Sequence, residues 1–303
     1  MERLRHDDPP RTGPYVTLGR LDAESEPAPP VRRFLARAAD GDHTLLVCVP
    51  RPGADPARWA VEAEGARALC VPGFLPVAEV GHTADGLPWC ASAYVPALPL
   101  PAALRAHGGP LPEPVVRDLG AALAQALATA HARGVTHAGL SPAAVLLTAE
   151  GPRLSCFGAV RAAAPDGEQR SGLPGLESGS LAPEQAAGER PGPAGDLYAL
   201  GAVLAYASTG HTVPERNELP PSLREFVTAC LSREPARRPQ AHQALAQLVP
   251  AQPAARTATH RATSLDAAAA IPLPARVVTA LARQSAHVLA AELPPPAAPD
   301  RDG

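Results

Sequence analysis

Apolar and polar residues along the chain divide it into a strand-rich first part and a helix-rich second part. In the first part, short apolar runs separated by turn residues predict an antiparallel sheet, and Asp40-Gly41 is a typical hairpin turn. One amphipathic helix interrupts this sheet, since Asp55 can cap its start and Pro56 suits its first turn. The predicted strands are 15–21, 31–38, 43–50, near 74–80 and near 87–95, and the predicted helix is 55–69.

Helical periodicity dominates the second part. A helix predicted to open at Pro112 carries an apolar stripe that recurs every three or four residues, and Gly134 is a good stop for it. A helix predicted over 195–209 is apolar nearly all round, as expected of a buried central helix. A short hairpin is predicted in AVLLTAEGPRLSCF, and two later amphipathic helices in PPSLREFVTACLS and RPQAHQALAQLV. The stripe consists of Val116, Leu119, Leu123, Leu127 and Ala130.

Polar, proline-rich or alanine-rich stretches lie at both ends of the chain and before its last predicted helix. We expect a disordered leader over 1–12, a linker over 251–272 and a disordered tail over 294–303. Residues 273–293 predict one more amphipathic helix, which either packs on the rest of the chain or binds a partner, because its stripe is too apolar to stay bare. That stripe is formed by Val277, Val278, Leu281, Val288 and Leu289.

Composition narrows the class of protein. The chain has 303 residues, 46% of them hydrophobic, which is enough for one large domain or two lobes. A net charge of −3 and 3% aromatic residues do not predict a surface that binds nucleic acid or a membrane. The five scattered cysteines include no C-x-x-C pair, so we expect no disulfide framework and no metal site. No apolar run reaches the ~18–20 residues that span a bilayer, and no signal peptide is visible, so we expect a cytoplasmic protein.

Six short motifs follow one another in an informative order. They are GPYVTLGRL, HARGVTHAGLSPAAVLL, CFG, LAPEQAAG, GDLYALGAVLAYASTG and CLSREPARRPQA. The first resembles the opening strand of bacterial serine/threonine protein kinases. The others resemble, in turn, that family's catalytic loop, its D-F-G and A-P-E motifs, its D-x-x-x-L-G helix and its late D-P-x-x-R-P-T element.

The resemblance covers roughly residues 13–250. It implies an α+β, two-lobed protein-kinase-like fold. We expect a small antiparallel β lobe with one helix over 13–95, and a larger, mainly helical lobe over 96–250.

The phosphate-binding part of the small lobe departs from the family pattern. The segment DAESEPAPP at 22–30 stands where the glycine-rich loop is expected and contains no glycine, so its backbone cannot easily wrap a phosphate. Cys48 stands at the strand lysine; the chain has no lysine, and Arg51 is the nearest cation in sequence. Glu62 matches the helix glutamate that pairs with that lysine, and without it we expect Glu62 to be an exposed helix residue.

The catalytic loop departs from the pattern as well. His137 matches the loop histidine and is interpreted as a packing residue. Gly139 replaces the aspartate that accepts the hydroxyl proton, Ala144 replaces the metal-binding asparagine, and Cys156 replaces the magnesium-binding aspartate of D-F-G.

Residues that support the fold in this family are retained. The resemblance implies a buried ion pair between Glu184 and Arg238, and backbone hydrogen bonds from the catalytic loop to Asp196. A segment matching the family's hinge could still offer adenine an apolar slot between the lobes. That segment is Ser92, Ala93, Tyr94 and Val95.

Retention of fold-supporting residues beside loss of chemical ones predicts a pseudokinase. Such a domain would act as a protein-binding or regulatory module, with other proteins as partners, without nucleic acid or a membrane span, and with no cofactor expected. The alternative is a serine/threonine protein kinase, or another ATP-using transferase, with degenerate motifs that binds ATP and magnesium. In a third reading, the chain is the cytoplasmic part of a larger system whose helix over 273–293 docks a partner.

Overall fold

The computed structural model of the chain describes residues 2–22, 28–38, 40–41, 43–215, 217–249 and 271–291. A smaller lobe is built on a six-stranded antiparallel sheet, and a larger, mainly helical lobe carries a three-stranded sheet. This arrangement confirms the predicted α+β class, with a small antiparallel β lobe and a larger helical one.

The smaller lobe has the strand order β1-β2-β3-β4-β6-β5. Its helix α1 (Pro56–Arg67) is capped as predicted, since the Asp55 carboxylate accepts hydrogen bonds from the backbone N–H groups of Ala57 and Arg58. The strands are β1 (Arg11–Thr12), β2 (Tyr15–Arg20), β3 (Val31–Ala38), β4 (Thr44–Pro50), β5 (Glu79–His82) and β6 (Pro88–Ala93).

Strand β3 separates two environments, because successive side chains of a strand point to opposite faces of the sheet. Phe34 and Ala36 lie in the core of the smaller lobe. Arg33, Leu35 and Arg37 point the other way, and each of them contacts residues outside the smaller lobe. We call these three residues the cleft face of β3.

The disordered leader predicted over 1–12 is wrong for residues 2–12. Glu2 forms an antiparallel bridge with Arg20, and Arg11–Thr12 form β1 at the edge of β2. Asp8 is buried and accepts two hydrogen bonds from the Arg20 guanidinium, at 2.6 and 2.7 Å. The open edge of β2 supplies backbone partners and Arg20 neutralises the buried carboxylate, so this polar segment is ordered and the sheet has six strands rather than five.

The strand predicted near 74–80 is divided between the lobes. The backbone N–H of Leu75 donates to the carbonyl of Leu154, whose own N–H donates to Gly73, each at 2.8 Å. Only Glu79–His82 joins the upper sheet. An apolar run can pair with either sheet, and periodicity alone does not choose between them.

The larger lobe is built around two helices, α3 (Glu113–Ala132) and α6 (Pro193–Thr209). The predicted stripe of α3 faces the core, with each of its five residues at most 1% exposed. Helix α6 is buried nearly all round, as predicted. The helices are α2 (Leu100–His107), α3 (Glu113–Ala132), α4 (Ala159–Ala163), α5 (Pro183–Ala186), α6 (Pro193–Thr209), α7 (Pro221–Cys230), α8 (Ala241–Leu248) and α9 (Ala275–Leu289). The small sheet consists of β7 (Ala97–Pro99), β8 (Val145–Thr148) and β9 (Gly151–Leu154).

Helix α9 is shorter than the predicted 273–293, and its buried face differs from the predicted stripe. Val278 and Leu289 are 51% and 82% exposed, whereas Gln284 is only 4% exposed. The buried positions recur at intervals of three or four residues, as one helix face requires; they are Val277, Leu281, Gln284 and Val288. Most of the predicted linker and all of the predicted tail, 294–303, lie outside the described residues. Within the described ranges, no helix is long and apolar enough to cross a membrane.

The ion pair predicted between Glu184 and Arg238 is present. Arg238 donates from both terminal nitrogens to the two carboxylate oxygens of Glu184, at 2.6 and 2.7 Å. Its guanidinium also lies 5.0 Å from the ring centre of Tyr198 and donates to the carbonyl of Ala194 at 3.0 Å. The Arg238 side chain has no exposed surface, so this group fastens α5 to the start of α6 from the inside.

Replacing Arg238 with alanine is expected to lower the free energy of unfolding by ~3–5 kcal/mol, because it strands the Glu184 carboxylate in a partly buried site. Urea unfolding measures the change. The matched control is Arg237→Ala, which removes an exposed pair with Glu234 and should cost less than ~1 kcal/mol. Equal losses in the two variants would contradict the assigned role of Arg238.

Candidate functional site in the cleft between the lobes

The loop that matches the family's catalytic loop is held by a buried carboxylate. Asp196, near the start of α6, accepts backbone hydrogen bonds from His137 at 2.8 Å and Ala138 at 2.9 Å. It also lies 2.9 Å from the Nε2 atom of His131. These are the contacts expected for Asp196, and they hold Ala138 at a φ of 50°, a backbone conformation that residues other than glycine rarely adopt.

His137 lies among aromatic rings beneath this loop. Its own ring is fully buried and packs edge-on against Phe74 and Phe157, at centroid distances of 5.0 and 6.1 Å. Neither ring nitrogen has a hydrogen-bond partner among the described residues. Burial lowers the pKa of His137 to about 4, so the ring is neutral near pH 7. The interpretation of His137 as a packing residue agrees with this environment.

Gly139 faces backbone rather than open cleft. A Cβ atom added at this position would overlap the carbonyl oxygen of Cys156. Cys156 itself has a φ of 63°, which residues other than glycine rarely adopt. Ala144, one turn further on, is fully buried, and its N–H donates to the Ser141 hydroxyl at 3.3 Å. The loop therefore presents neither a carboxylate nor an amide side chain at positions 139 and 144.

Two thiols stand at the positions of the family's lysine and magnesium-binding aspartate. Cys48 is opposite Cys90 in the sheet, and the hydrogen bond between their thiols, together with burial, raises the pKa of Cys48. Burial raises the pKa of Cys156 to about 11. Both thiols are therefore protonated at neutral pH and carry no charge into the cleft.

Arg33 is a buried cation on the cleft face of β3, and proximity to Cys48 along the chain did not predict it. In the sheet, Arg33 lies directly opposite Cys48. Its fully buried guanidinium forms a bidentate ion pair with Asp22 and donates to the Ser155 hydroxyl at 3.0 Å. Burial opposes the charge of this group, but the Asp22 carboxylate outweighs it and raises the pKa of Arg33. The signal in the sequence was strand alternation, which places residue 33 on the cleft face.

Glu62 is not the exposed helix residue that was expected. Its carboxylate accepts hydrogen bonds from Arg161 at 2.7 and 2.9 Å, and its side chain is 17% exposed. Arg161 also stacks over Phe157, with 4.8 Å between the guanidinium carbon and the ring centre. The carboxylate lies against Gly158, where an added Cβ would overlap it. Arg161 on α4 is therefore the ion-pair partner of Glu62, in place of the family's lysine. This pair links α1 to the larger lobe.

The segment predicted to form an adenine slot consists of the last two residues of β6 and the first two residues of its connection to β7. Ser92 is buried and Val95 is partly exposed, at 3% and 37%. The backbone N–H of Tyr94 donates to the carbonyl of Thr44 at 3.1 Å. The space beside this hinge, between β4 above and β8 below, is filled by apolar side chains. They are Leu21, Leu35, Leu46, Ala97, Leu146 and Val288, with Tyr94 packed against them.

Open volume remains on the other side of the cleft. A cavity of about 520 Å³ lies beside α1, and the hinge residues Ser92, Ala93 and Val95 form part of its lining together with Cys48 and Cys156. Among the described residues, no cluster of three or more His, Cys, Asp or Glu side chains could hold a metal ion.

Comparisons with known proteins agree with this architecture. The probable serine/threonine-protein kinase PkwA of Thermomonospora curvata is 36% identical over 271 residues, which cover 82% of this chain and 35% of PkwA. The serine/threonine-protein kinase AfsK of Streptomyces coelicolor is 33% identical over 276 residues, which cover 82% of this chain and 33% of AfsK. The chain thus spans about a third of the length of these relatives. A scan against protein-family models finds no match.

The kinase domain of PknI from Mycobacterium tuberculosis superimposes with a TM-score of 0.60 and 24% identity, covering 78% of this chain and 95% of that domain. This likeness establishes the fold. The chain is therefore a protein-kinase-like domain whose homologues are bacterial serine/threonine protein kinases.

Proposed function

We propose that this domain is a pseudokinase, which transfers no phosphate and acts by binding other proteins. Phosphoryl transfer relies on positioning the reactants and neutralising charge at the phosphates. One observation carries the proposal. At position 139, where the family has its proton-accepting aspartate, there is no side chain, and the Cys156 carbonyl fills the place of a Cβ atom.

The charges around the cleft support the same proposal. Ala144 and the protonated thiol of Cys156 offer no oxygen ligand, whereas magnesium prefers oxygen. Arg33 supplies a cation, but the Asp22 carboxylate already neutralises it. A phosphate approaching Arg33 would have to displace that carboxylate or lie beside a like charge.

The contacts that stabilise the larger lobe favour a binding role. Asp196 fixes the loop, and the pair of Glu184 with Arg238 fixes α5. These contacts give the domain a defined surface, and a partner can bind such a surface without any reaction taking place. Binding of other proteins is therefore the activity that we propose for it.

The names of the relatives favour the alternative, a serine/threonine protein kinase or another ATP-using transferase with degenerate motifs. Such an enzyme would bind ATP together with a divalent metal. The two functions therefore differ in the metal dependence of nucleotide binding.

Thermal unfolding with ATP, ADP and adenosine, each with and without magnesium or manganese, tests this difference. We expect no magnesium-dependent stabilisation by ATP, because Ala144 and Cys156 supply no oxygen ligand at the two positions where the family binds the metal. For comparison, a ligand held at 100 times its dissociation constant stabilises a fold by ~2.7 kcal/mol. Magnesium alone is the control. A large shift that requires both ATP and magnesium would contradict the pseudokinase proposal and favour the enzyme.

The packing role of His137 predicts a specific response to acid. Its pKa is about 4 in the fold and ~6.5 in an unfolded chain, so the unfolded chain binds the extra proton between these values. This contribution to stability is complete above pH 6.5 and is lost as the pH falls toward 4, by on the order of 3 kcal/mol. His137→Leu should remove that loss, so its free energy of unfolding should depend less on pH between 6.5 and 4 than that of the unmodified protein.

Urea unfolding at several pH values measures this slope. The matched control is His242→Leu, at an exposed histidine, and it should keep the slope of the unmodified protein. An unchanged slope in His137→Leu would mean that His137 takes up its proton in the folded state, as a working acid–base group would.

A further inference from the structure

Helix α9 runs from the larger lobe, past the hinge, to the smaller lobe. At its start, Val277 is fully buried in the core of the larger lobe. Arg276 donates to the carbonyl of His107, at the end of α2, at 3.2 Å. The first half of the helix is therefore part of the larger lobe.

The middle of α9 contacts the hinge through a buried glutamine. The Gln284 side-chain oxygen accepts hydrogen bonds from the backbone N–H of Ala97 at 3.0 Å and from the Tyr94 hydroxyl at 3.2 Å. A buried polar side chain is stable only when it is hydrogen-bonded, so these bonds define where the helix lies against the hinge.

The last turn of α9 enters the space between the two sheets. Val288 is 2% exposed and belongs to the apolar cluster beside the hinge. Within that cluster, Leu46 comes from the upper sheet and Leu146 from the lower one. This cluster lies on the Tyr94 side of the hinge segment that was expected to accept adenine, and an aliphatic side chain of the chain itself is packed there.

The end of the helix is attached to the smaller lobe. Arg37, on the cleft face of β3, donates to the carbonyl oxygens of Val288 at 2.6 Å and Ala291 at 2.7 Å. Carbonyl groups at a helix C-terminus lack partners within the helix and carry partial negative charge, so an arginine is a favourable partner. Together, Gln284, Val288 and Arg37 hold the second half of α9 across the mouth of the slot.

We propose that α9 is the resident occupant of the interlobe slot and that it excludes planar, uncharged bases such as adenine. The proposal goes beyond the proposed function, because it concerns the base and the hinge rather than phosphate or metal. An active enzyme with the same helix would show the same competition. Moving the last two turns of α9 would expose the apolar surfaces of Leu46 and Leu146, between which a flat ring can stack.

The test is Val288→Asp, compared with Val278→Asp on the exposed side of the same helix. An aspartate at 288 places an unpaired charge in an apolar cluster, so the end of the helix should leave the slot. Amide hydrogen exchange over residues 284–289 should become faster by at least ~10-fold. The amides in the first half of the helix should exchange as slowly as in the unmodified protein, because Val277 keeps that half packed in the larger lobe. Val278→Asp should exchange like the unmodified protein.

Adenosine without metal is the probe for the opened slot. We expect it to raise the melting temperature of Val288→Asp by several degrees and to leave the unmodified protein and Val278→Asp unchanged. Arg37→Ala is the second variant, because it releases the helix end without placing a charge in the slot, and it should shift in the same direction. It keeps the proposal testable if Val288→Asp does not fold.

Two results would overturn the proposal. One is equal stabilisation of the unmodified protein and the variants by adenosine, which would mean that α9 and the base do not compete. The other is a variant whose helix end exchanges rapidly but which still does not bind adenosine, which would mean that α9 does not keep the base out. The adenosine shift needs no metal, so it is read independently of the magnesium-dependent ATP shift that would contradict the pseudokinase proposal.

Discussion

The buried guanidinium of Arg33 is the contact on which the arrangement of the cleft depends. It extends from the centre of the upper sheet to Ser155 in the larger lobe and forms an ion pair with Asp22 at the start of the 22–30 segment. A buried arginine is tolerated only when its charge and its donors are matched, so Asp22 and Ser155 are held where they can match it. Leu35 and Arg37 lie on the same cleft face of β3. They therefore reach the interlobe cluster and the end of α9 from the same strand.

The sequence predicted the architecture well, because most elements have local signals. The stripe of α3, the apolar length of α6 and the Asp55 cap are each visible within one helix. The Glu184–Arg238 pair and the contacts of Asp196 followed from the family resemblance. What periodicity could not predict was pairing between distant segments. The leader residues are ordered by the free edge of β2, and residues 73–75 pair with β9 rather than with the upper sheet.

The candidate site was predicted less completely, for the same physical reason. Residue types at positions 48, 139, 144 and 156 are read directly from the sequence, but the partners that replace the lost groups come from elsewhere. Arg33 lies 15 positions before Cys48 and meets it only through the β3–β4 register. Arg161 reaches Glu62 across 99 positions, and Gln284 reaches Ala97 across 187. On our proposals, the chain's own groups occupy the cleft. Asp22 forms an ion pair with Arg33, and Val288 of α9 fills the apolar slot beside the hinge.

Transfer of labelled phosphate from ATP distinguishes a pseudokinase from an enzyme without relying on binding. The full chain would be incubated with γ-labelled ATP and magnesium or manganese, alone and with a generic serine/threonine acceptor. We expect no labelling of the chain or of the acceptor above that of a reaction without the protein. Labelling that rises in proportion to the concentration of the purified chain and requires the metal would show that the chain is an enzyme, although Gly139 offers no proton acceptor and Ala144 and Cys156 offer no oxygen ligand.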